Sequence, residues 1–296
     1  MNAFRIITLL CLGAAPLRAS LIDGLLAYYD FEETGTAGLA NKAPGATQYD
    51  AALSTGTFGL SGPGFAGNAA FNPGDGLSDR SVLLAGNALN VADFSNQHVV
   101  VPIGSSMLGG NFTISVWHNL TPGAGNTSAR FFVFEPSAGF DVSWGTGAAV
   151  GAGDSYLSYV GQVAGQSATL DRNQWHLATH VFAVNGTDTE LSTYVNGNLL
   201  GTRTAATSLL DFPSLFFGDA RAGTSPDRDW DGMLDEVAIW NRALDANEVS
   251  ALHNLGLAGQ PLTSVPEPST VSLLMAGLAL AFRRCKIPTT ETRSLR

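Results

Sequence analysis

Carboxylates are densest in the run DRDWDGMLDE, where Asp227, Asp229, Asp231 and Asp235 alternate around Gly232. That spacing matches positions one, three, five, six and nine of a twelve-position calcium loop, in which successive oxygens ring the ion. The twelfth position is Ala238, where a bidentate carboxylate should close the cage. The run therefore reads either as a loose calcium loop or, in its second half, as a final strand. His176 and His180 in WHLATH stand four apart, a metal pair if helical. The segment alternates as a strand, in which four residues span ~13 Å, too far to share one ion. Both are expected to be sheet-facing histidines. Glu135 and Asp141 are the nearest mid-chain acids, separated by a probable turn in FEPSAGFD. The glycine-rich GTGAAVGAGD has Val150 where a phosphate cradle needs its third glycine, and SYLSYV after it reads as strand, not helix. With no G-x-S-x-G elbow either, the chain is read as not an enzyme.

Aromatic side chains offer a different chemistry, because sugar faces stack on flat rings in concave clefts. Trp117, Trp144, Tyr156 and Tyr159 are the candidates for such a platform. Each is also the kind of residue that fills a β core.

Composition narrows the setting. Arg5, the apolar stretch Ile6 to Ala15 and Leu17-Arg18-Ala19 before Ser20 form a secretory leader over residues 1–19. Cys11 and Cys285 both fall in segments expected to be removed, so the mature body relies on neither disulfides nor thiols. Between Ser20 and Phe282 there are 8 basic and 24 acidic residues, a net of −16. Such a surface repels nucleic acid and anionic headgroups and suits divalent cations.

The elements that must position these residues are short strands. In LLAYYDFEETG, Leu25, Ala27, Tyr29 and Phe31 share one face, with Tyr28, Asp30 and Glu32 on the other. NFTISVW puts Phe112, Ile114 and Val116 together and Trp117 opposite. Further short strands follow, with Asn196-Gly197 as a two-residue hairpin turn. One helix is expected, capped by Asp245 with Glu248 three residues on, and striped by Val249, Leu252 and Leu255. The result is an all-β, antiparallel two-sheet sandwich with one short helix near its C-terminal end.

Four stretches in order carry a resemblance: LLAYYDFEETG, NFTISVW, QWHLATHVF…TELSTYVNGNLLGT and DGMLDEVAIWNRALDANEVSALHNLG. Together they resemble the laminin-G-like, concanavalin A-like jelly roll, over about Leu25 to Gly256. The resemblance implies two stacked curved sheets with the first and last strands adjacent. It also implies one structural calcium ion bridging Asp235, Asp30 or Glu32, and the carbonyl of Gly67, with solvated acids as the alternative reading. Members of that superfamily that cleave glucans carry an E-x-D-x-(x)-E strand, which this chain lacks.

The C-terminal stretch VPEPST, then the apolar run Val271 to Phe282, then Arg283, Arg284 and Lys286 resembles the PEP-CTERM sorting signal. That resemblance implies handling by the export machinery, transient membrane anchoring and exosortase processing near Pro266, Glu267 and Pro268. Twelve apolar residues rise only ~18 Å as a helix, short of the roughly 30 Å hydrocarbon core. The expected order is leader 1–19, jelly roll 20–257, linker 258–264, sorting signal with short membrane segment 265–286, and tail 287–296. The expected product is an exported, non-catalytic module of the cell envelope or matrix that recognises extracellular polysaccharide or another surface polymer. A structural or adhesive protein without a small ligand is the first alternative, and a divergent glycan hydrolase or lyase the second.

Overall fold

The computed structural model describes residues 21–31, 39–53, 60–63, 80–84, 99–108, 110–120, 130–135, 143–146, 155–160, 163–171, 174–206, 213–217 and 232–264. Two antiparallel sheets account for most of them. The first runs β13 (Asn198–Ala205), β12 (Asp188–Val195), β11 (His176–Asn185), β6 (Asn111–Leu120), β15 (Gly232–Trp240), β4 (Arg80–Leu84), β3 (Leu60–Pro63). Its eighth strand, β1 (Leu25–Tyr29), pairs with the other end of β15. The second runs β10 (Val163–Thr169), β9 (Ser155–Val160), β8 (Ser143–Thr146), β7 (Arg130–Glu135), β14 (Ser214–Phe217), β5 (Val99–Val101), β2 (Ala52–Leu53). The expected sandwich is present, and the first and last strands are neighbours.

Strand alternation sends apolar side chains of the first sheet to both faces. One set, including Ala27, Tyr29, Phe31, Phe112, Ile114, Val116, Phe182 and Ile239, meets Leu215 and Phe217 of the second sheet. Phe112 and Phe182 are register partners whose rings stack at 4.4 Å. The opposite set, Tyr28, Trp117, Leu177, Tyr194 and Trp240, is covered by α2 (Ala246–Leu257) through Val249 and Leu252. A four-residue helical turn, α1 (Ser105–Leu108), is additional to the single helix expected.

The expected helix cap is realised in full. Asp245 Oδ1 accepts from the Asn247 and Glu248 amides, and Glu248 Oε2 accepts from the Asp245 amide at 2.9 Å. Arg242 clamps the Glu248 carboxylate with two N–H donors at 2.9 and 2.8 Å. The same guanidinium donates to the Asp23 carbonyl, and Trp240 Nε1 donates to the Leu21 carbonyl. The Asn196-Gly197 hairpin also forms, with φ of +49° and +77°, the left-handed pair that a type I′ turn requires.

Two expectations need correction. Leu25 does not join Ala27 and Tyr29, because the β1–β15 register shifts between Leu25 and Ala27, so Leu25 packs with the Tyr28 set. Residues 258–264 are not a free linker, because Leu262 is 2% exposed and packs into the core beneath α2. Replacing Asp245 with Ala should cost about 1 kcal/mol of stability, while Asn247→Ala on the exposed side should cost much less. Equal denaturant midpoints for these two variants would show that the box does not hold α2.

Candidate functional site

Of the four candidate aromatics, Trp117 lies on a strand of the first sheet and Trp144, Tyr156 and Tyr159 on strands of the second. Trp117 lies on the α2 side of the first sheet, is 3% exposed, and stacks on His253 with ring centroids 5.6 Å apart. A ring buried under a helix has no free face for a sugar, so Trp117 is a core residue. In the second sheet Trp144 pairs with Phe132 and Ser158, and Tyr156 with Thr146 and Ala168. Phe132 pairs in turn with Phe217, and both Phe217 and Ala168 belong to the inter-sheet core. The side chains of Trp144, Tyr156 and Tyr159 lie outside the described residues. Of the platform expected from the sequence, Trp117 alone is described, and it is buried.

The acids behave differently. β15 carries a bulge between Asp235 and Ala238, with Glu236 at φ +51°. Asp235 is fully buried and its Oδ1 accepts from the Glu236 amide at 2.8 Å. The Tyr28 hydroxyl donates to Glu236 Oε2. Burial first, then the charges of Glu236, Asp30 and Asp235, pushes the Tyr28 hydroxyl well above the usual tyrosine range. The charges of Asp30 and Asp235 thus both reach the Tyr28 hydroxyl. Glu32 and Gly67, the other members of the calcium expectation, lie outside the described residues, as do Asp227, Asp229 and Asp231 of the candidate loop. Among the described residues, no three His, Cys, Asp or Glu side chains are grouped to hold an ion. The donor set is oxygen-only and fits a hard cation, but the described part supplies half of it.

His176 and His180 are strand residues, as expected, on the core-facing side of β11. The sequence reading missed their neighbour His118, the direct cross-strand partner of His176, with ring centroids 6.0 Å apart. The period of two in NFTISVWHN sets the face of His118, but its pairing with His176 depends on the register between distant strands. The His176 ring sits between the Asp171 carbonyl at 3.0 Å and the Asn196 amide at 3.3 Å. Burial lowers His118 well below the ordinary histidine value, with His176 and His180 adding to it, and lowers His180 to about 3.

A second feature missed at the sequence level is an open cleft of ≈ 250 Å³ formed by Leu25, Leu26 and the loop Pro44 to Tyr49. Its shape is set by Asn41, whose Oδ1 accepts from the Tyr28 and Ala43 amides. The Asn41 Nδ2 donates to the Leu26 and Gln48 carbonyls at 2.8 and 2.9 Å. The Tyr29 hydroxyl donates to the Tyr49 carbonyl, and Tyr49 itself holds φ +68°. A bulky residue in that region of backbone space persists only where its surroundings hold it. The lining contains no Asp, Glu, His or Cys.

The Asp141 carboxylate and the processing residues Pro266, Glu267, Pro268, Arg283 and Arg284 lie outside the described residues. Among those described, no helix is long and apolar enough to cross a membrane.

A family model described as the concanavalin A-like lectin/glucanases superfamily matches residues 93–250, just over half of the 296. A second, the PEP-CTERM protein-sorting motif, matches residues 264–286 and marks the chain for export and association with the cell envelope. No curated protein matches this chain. Among solved structures, the binding domain of Paraclostridial Mosquitocidal Protein 1 superposes with a TM-score of 0.52 at 16% identity, covering 79% of this chain and 52% of that one. The botulinum neurotoxin type G receptor binding domain gives 0.50 at 11% identity over 78% and 51%. A botulinum neurotoxin type C structure, whose cell entry depends on two ganglioside molecules, gives 0.50 at 15% over 80% and 53%. The chain spans about half the length of each, and identities this low establish fold alone.

The buried histidines set an acid limit. An unfolded histidine binds its proton near pH 6.5 and folded His180 only near 3, so stability is complete above the first value and falls as pH drops below it. By pH 5 the loss should reach about 2 kcal/mol for His180 alone. Urea titrations between about pH 7.5 and 5 on the parent and on His180→Leu test this: the variant should show the shallower slope, and parallel slopes would refute it.

Proposed function

The chain belongs to the concanavalin A-like lectin/glucanase superfamily, and from that premise we propose that it is an exported, non-catalytic module recognising an uncharged extracellular polymer of the polysaccharide class. The observation that carries the recognition half is the cleft that Asn41 holds open. It is pre-organised before any ligand arrives, which reduces the ordering cost of binding. It pairs apolar floor residues with exposed amides and hydroxyls, the mixture that neutral sugars require. Its lining lacks the acids, histidines and thiols that hydrolysis or elimination would need. The ganglioside dependence of the type C neurotoxin is consistent with sugar recognition on this fold. The body's net −16 disfavours anionic polymers.

Delivery follows from the sorting motif. In this reading the chain crosses the inner membrane under its leader, is held there transiently by Val271 to Phe282, and is released by an exosortase acting near Pro266-Glu267-Pro268. The burial of Trp117 favours one second reading, an adhesive or structural protein with no small ligand.

Calcium belongs to the same proposal. Bound between the first and last strands, it would supply positive charge to a corner where Asp30, Asp235 and Glu236 surround Tyr28. Asp235 and Asp30 would be its described oxygen donors, with Glu32 and the Gly67 carbonyl completing the set. Glu236 stays committed to the Tyr28 hydroxyl.

Two measurements test these readings. Retention of the secreted protein on an array of neutral glycans should fall fivefold or more in Thr47→Trp, an exposed position that would fill the cleft. No retention by the parent would favour the adhesive reading, and unchanged retention in the variant would move the site elsewhere. In calorimetry, millimolar calcium should raise the melting temperature of chelator-treated protein, and Asp235→Asn should abolish the rise. Superimposable scans of the parent with and without calcium would remove the ion from the proposal.

A further inference from the structure

One aromatic ring lines the cleft, that of Tyr49. The loop fixes this residue from both sides. Asn41 Nδ2 donates to the Gln48 carbonyl before it, and the Tyr29 hydroxyl donates to its own carbonyl. Beyond it, the Asp50 carboxylate accepts from the Asn41 amide at 2.9 Å, and the Ala51 amide donates to the Leu39 carbonyl at 2.8 Å. Within this frame Tyr49 stands at φ +68°, a region that a bulky side chain enters only against strain.

The same loop shows how such strain is ordinarily avoided. Its other left-handed position, at φ +74°, is Gly45, where a side-chain carbon would meet nothing within 4 Å. Glycine adopts that conformation freely. At position 49 glycine or asparagine would suit the backbone better, yet the chain carries a tyrosine. Part of that side chain has a structural partner, because Tyr49 packs against the inter-sheet core. The residue is only half-buried, and it also lines the cleft. Core packing accounts for the buried part and leaves the rest facing the cleft.

The neighbours of the ring define what it can take. Leu25 and Pro44 add apolar surface, while exposed Thr47 and Gln48 add hydroxyl and amide groups. No charged side chain lines the cleft. Its ≈ 250 Å³ falls below the roughly 300–1,000 Å³ of sites that enclose drug-sized ligands. It therefore admits one unit of a polymer and leaves the adjoining units in solvent. A pyranose with equatorial hydroxyls offers a flat C–H face to a ring and a girdle of hydroxyls to amides. An acyclic polyol offers the hydroxyls without the face.

We propose that Tyr49 is the sugar-stacking residue of the cleft, selecting a neutral, equatorially substituted hexopyranose unit within a polymer. This rests on the cleft reading under the proposed function and names its ligand. The loop's bonds hold the Tyr49 backbone before the sugar arrives, so little ordering remains for binding.

Calorimetric titration of the secreted protein with cellotetraose, a neutral β-glucan fragment, tests this, with sorbitol as the acyclic control. The parent should bind cellotetraose and not sorbitol. Tyr49→Asn keeps a residue tolerant of the left-handed backbone but removes the ring. It should weaken binding about tenfold, the scale of one aromatic contact. Tyr49→Trp should bind at least as tightly as the parent and gain a sugar-dependent shift in tryptophan emission that the parent lacks. Should Tyr49→Asn melt early, that emission shift decides alone. Parental affinity in folded Tyr49→Asn, or Tyr49→Trp emission indifferent to the sugar, would overturn the stacking role; loss of binding in Thr47→Trp would then leave the cleft reading standing. Equal binding of sorbitol, or none of cellotetraose, would also overturn it. A parent silent on the whole neutral-glycan array would bring down the cleft reading as well.

Discussion

The first sheet is apolar on both faces, and that single constraint dictates how this domain closes. One face is covered by the second sheet, as in any sandwich. The other exposes Tyr28, Trp117, Leu177, Tyr194 and Trp240 unless something lies across them. Helix α2 does so, and it can because Thr113 joins the strand to the helix approach: its hydroxyl donates to the Arg242 carbonyl at 2.9 Å and accepts from the Leu244 amide at 3.0 Å. Both ends of the described body then meet at the same place, since Trp240 and Arg242 bond the carbonyls of Leu21 and Asp23. The burial of Trp117 and the seat of Leu262 are both consequences of covering that second face.

What could be read from the sequence was what depends on local periodicity. Alternation in NFTISVW assigned Phe112, Ile114, Val116 and Trp117 to their correct faces, because β6 runs without a bulge. The capping box and the Asn-Gly turn were legible because each is a contract between residues at most three apart. Face assignments went wrong where the register slips. Leu25 lies beyond a shift in β1, and LDEV cannot alternate cleanly across the bulge at Glu236. The aromatic platform was illegible for a related reason: parity within a strand says that two residues are on opposite faces, but not which face looks outward. That answer needs the neighbouring elements, as for Trp117, which α2 covers. The His118–His176 pairing and the Asn41-built cleft rest on contacts between distant segments, which no local pattern announces. Much of the candidate calcium corner and all of the sorting signal fall outside the described residues, so their reading stays with the sequence and the family models.

A domain with two cores and one shared end distributes its tasks spatially. The inter-sheet core, with the buried histidines at its edge, offers nothing to solvent. The α2 core holds the chain's exit and the acidic corner together, so an ion bound at Asp30 and Asp235 would stabilise the strands on which Leu262 sits. Tyr28 links the two, donating to Glu236 while lining the same cavity as Leu262. The cleft lies at the start of β1, built by a loop that leaves the outer core through Ala43. The cleft therefore touches both apolar layers, since Leu25 and Ala46 pack against the outer core and Leu26 and Tyr49 against the inter-sheet core.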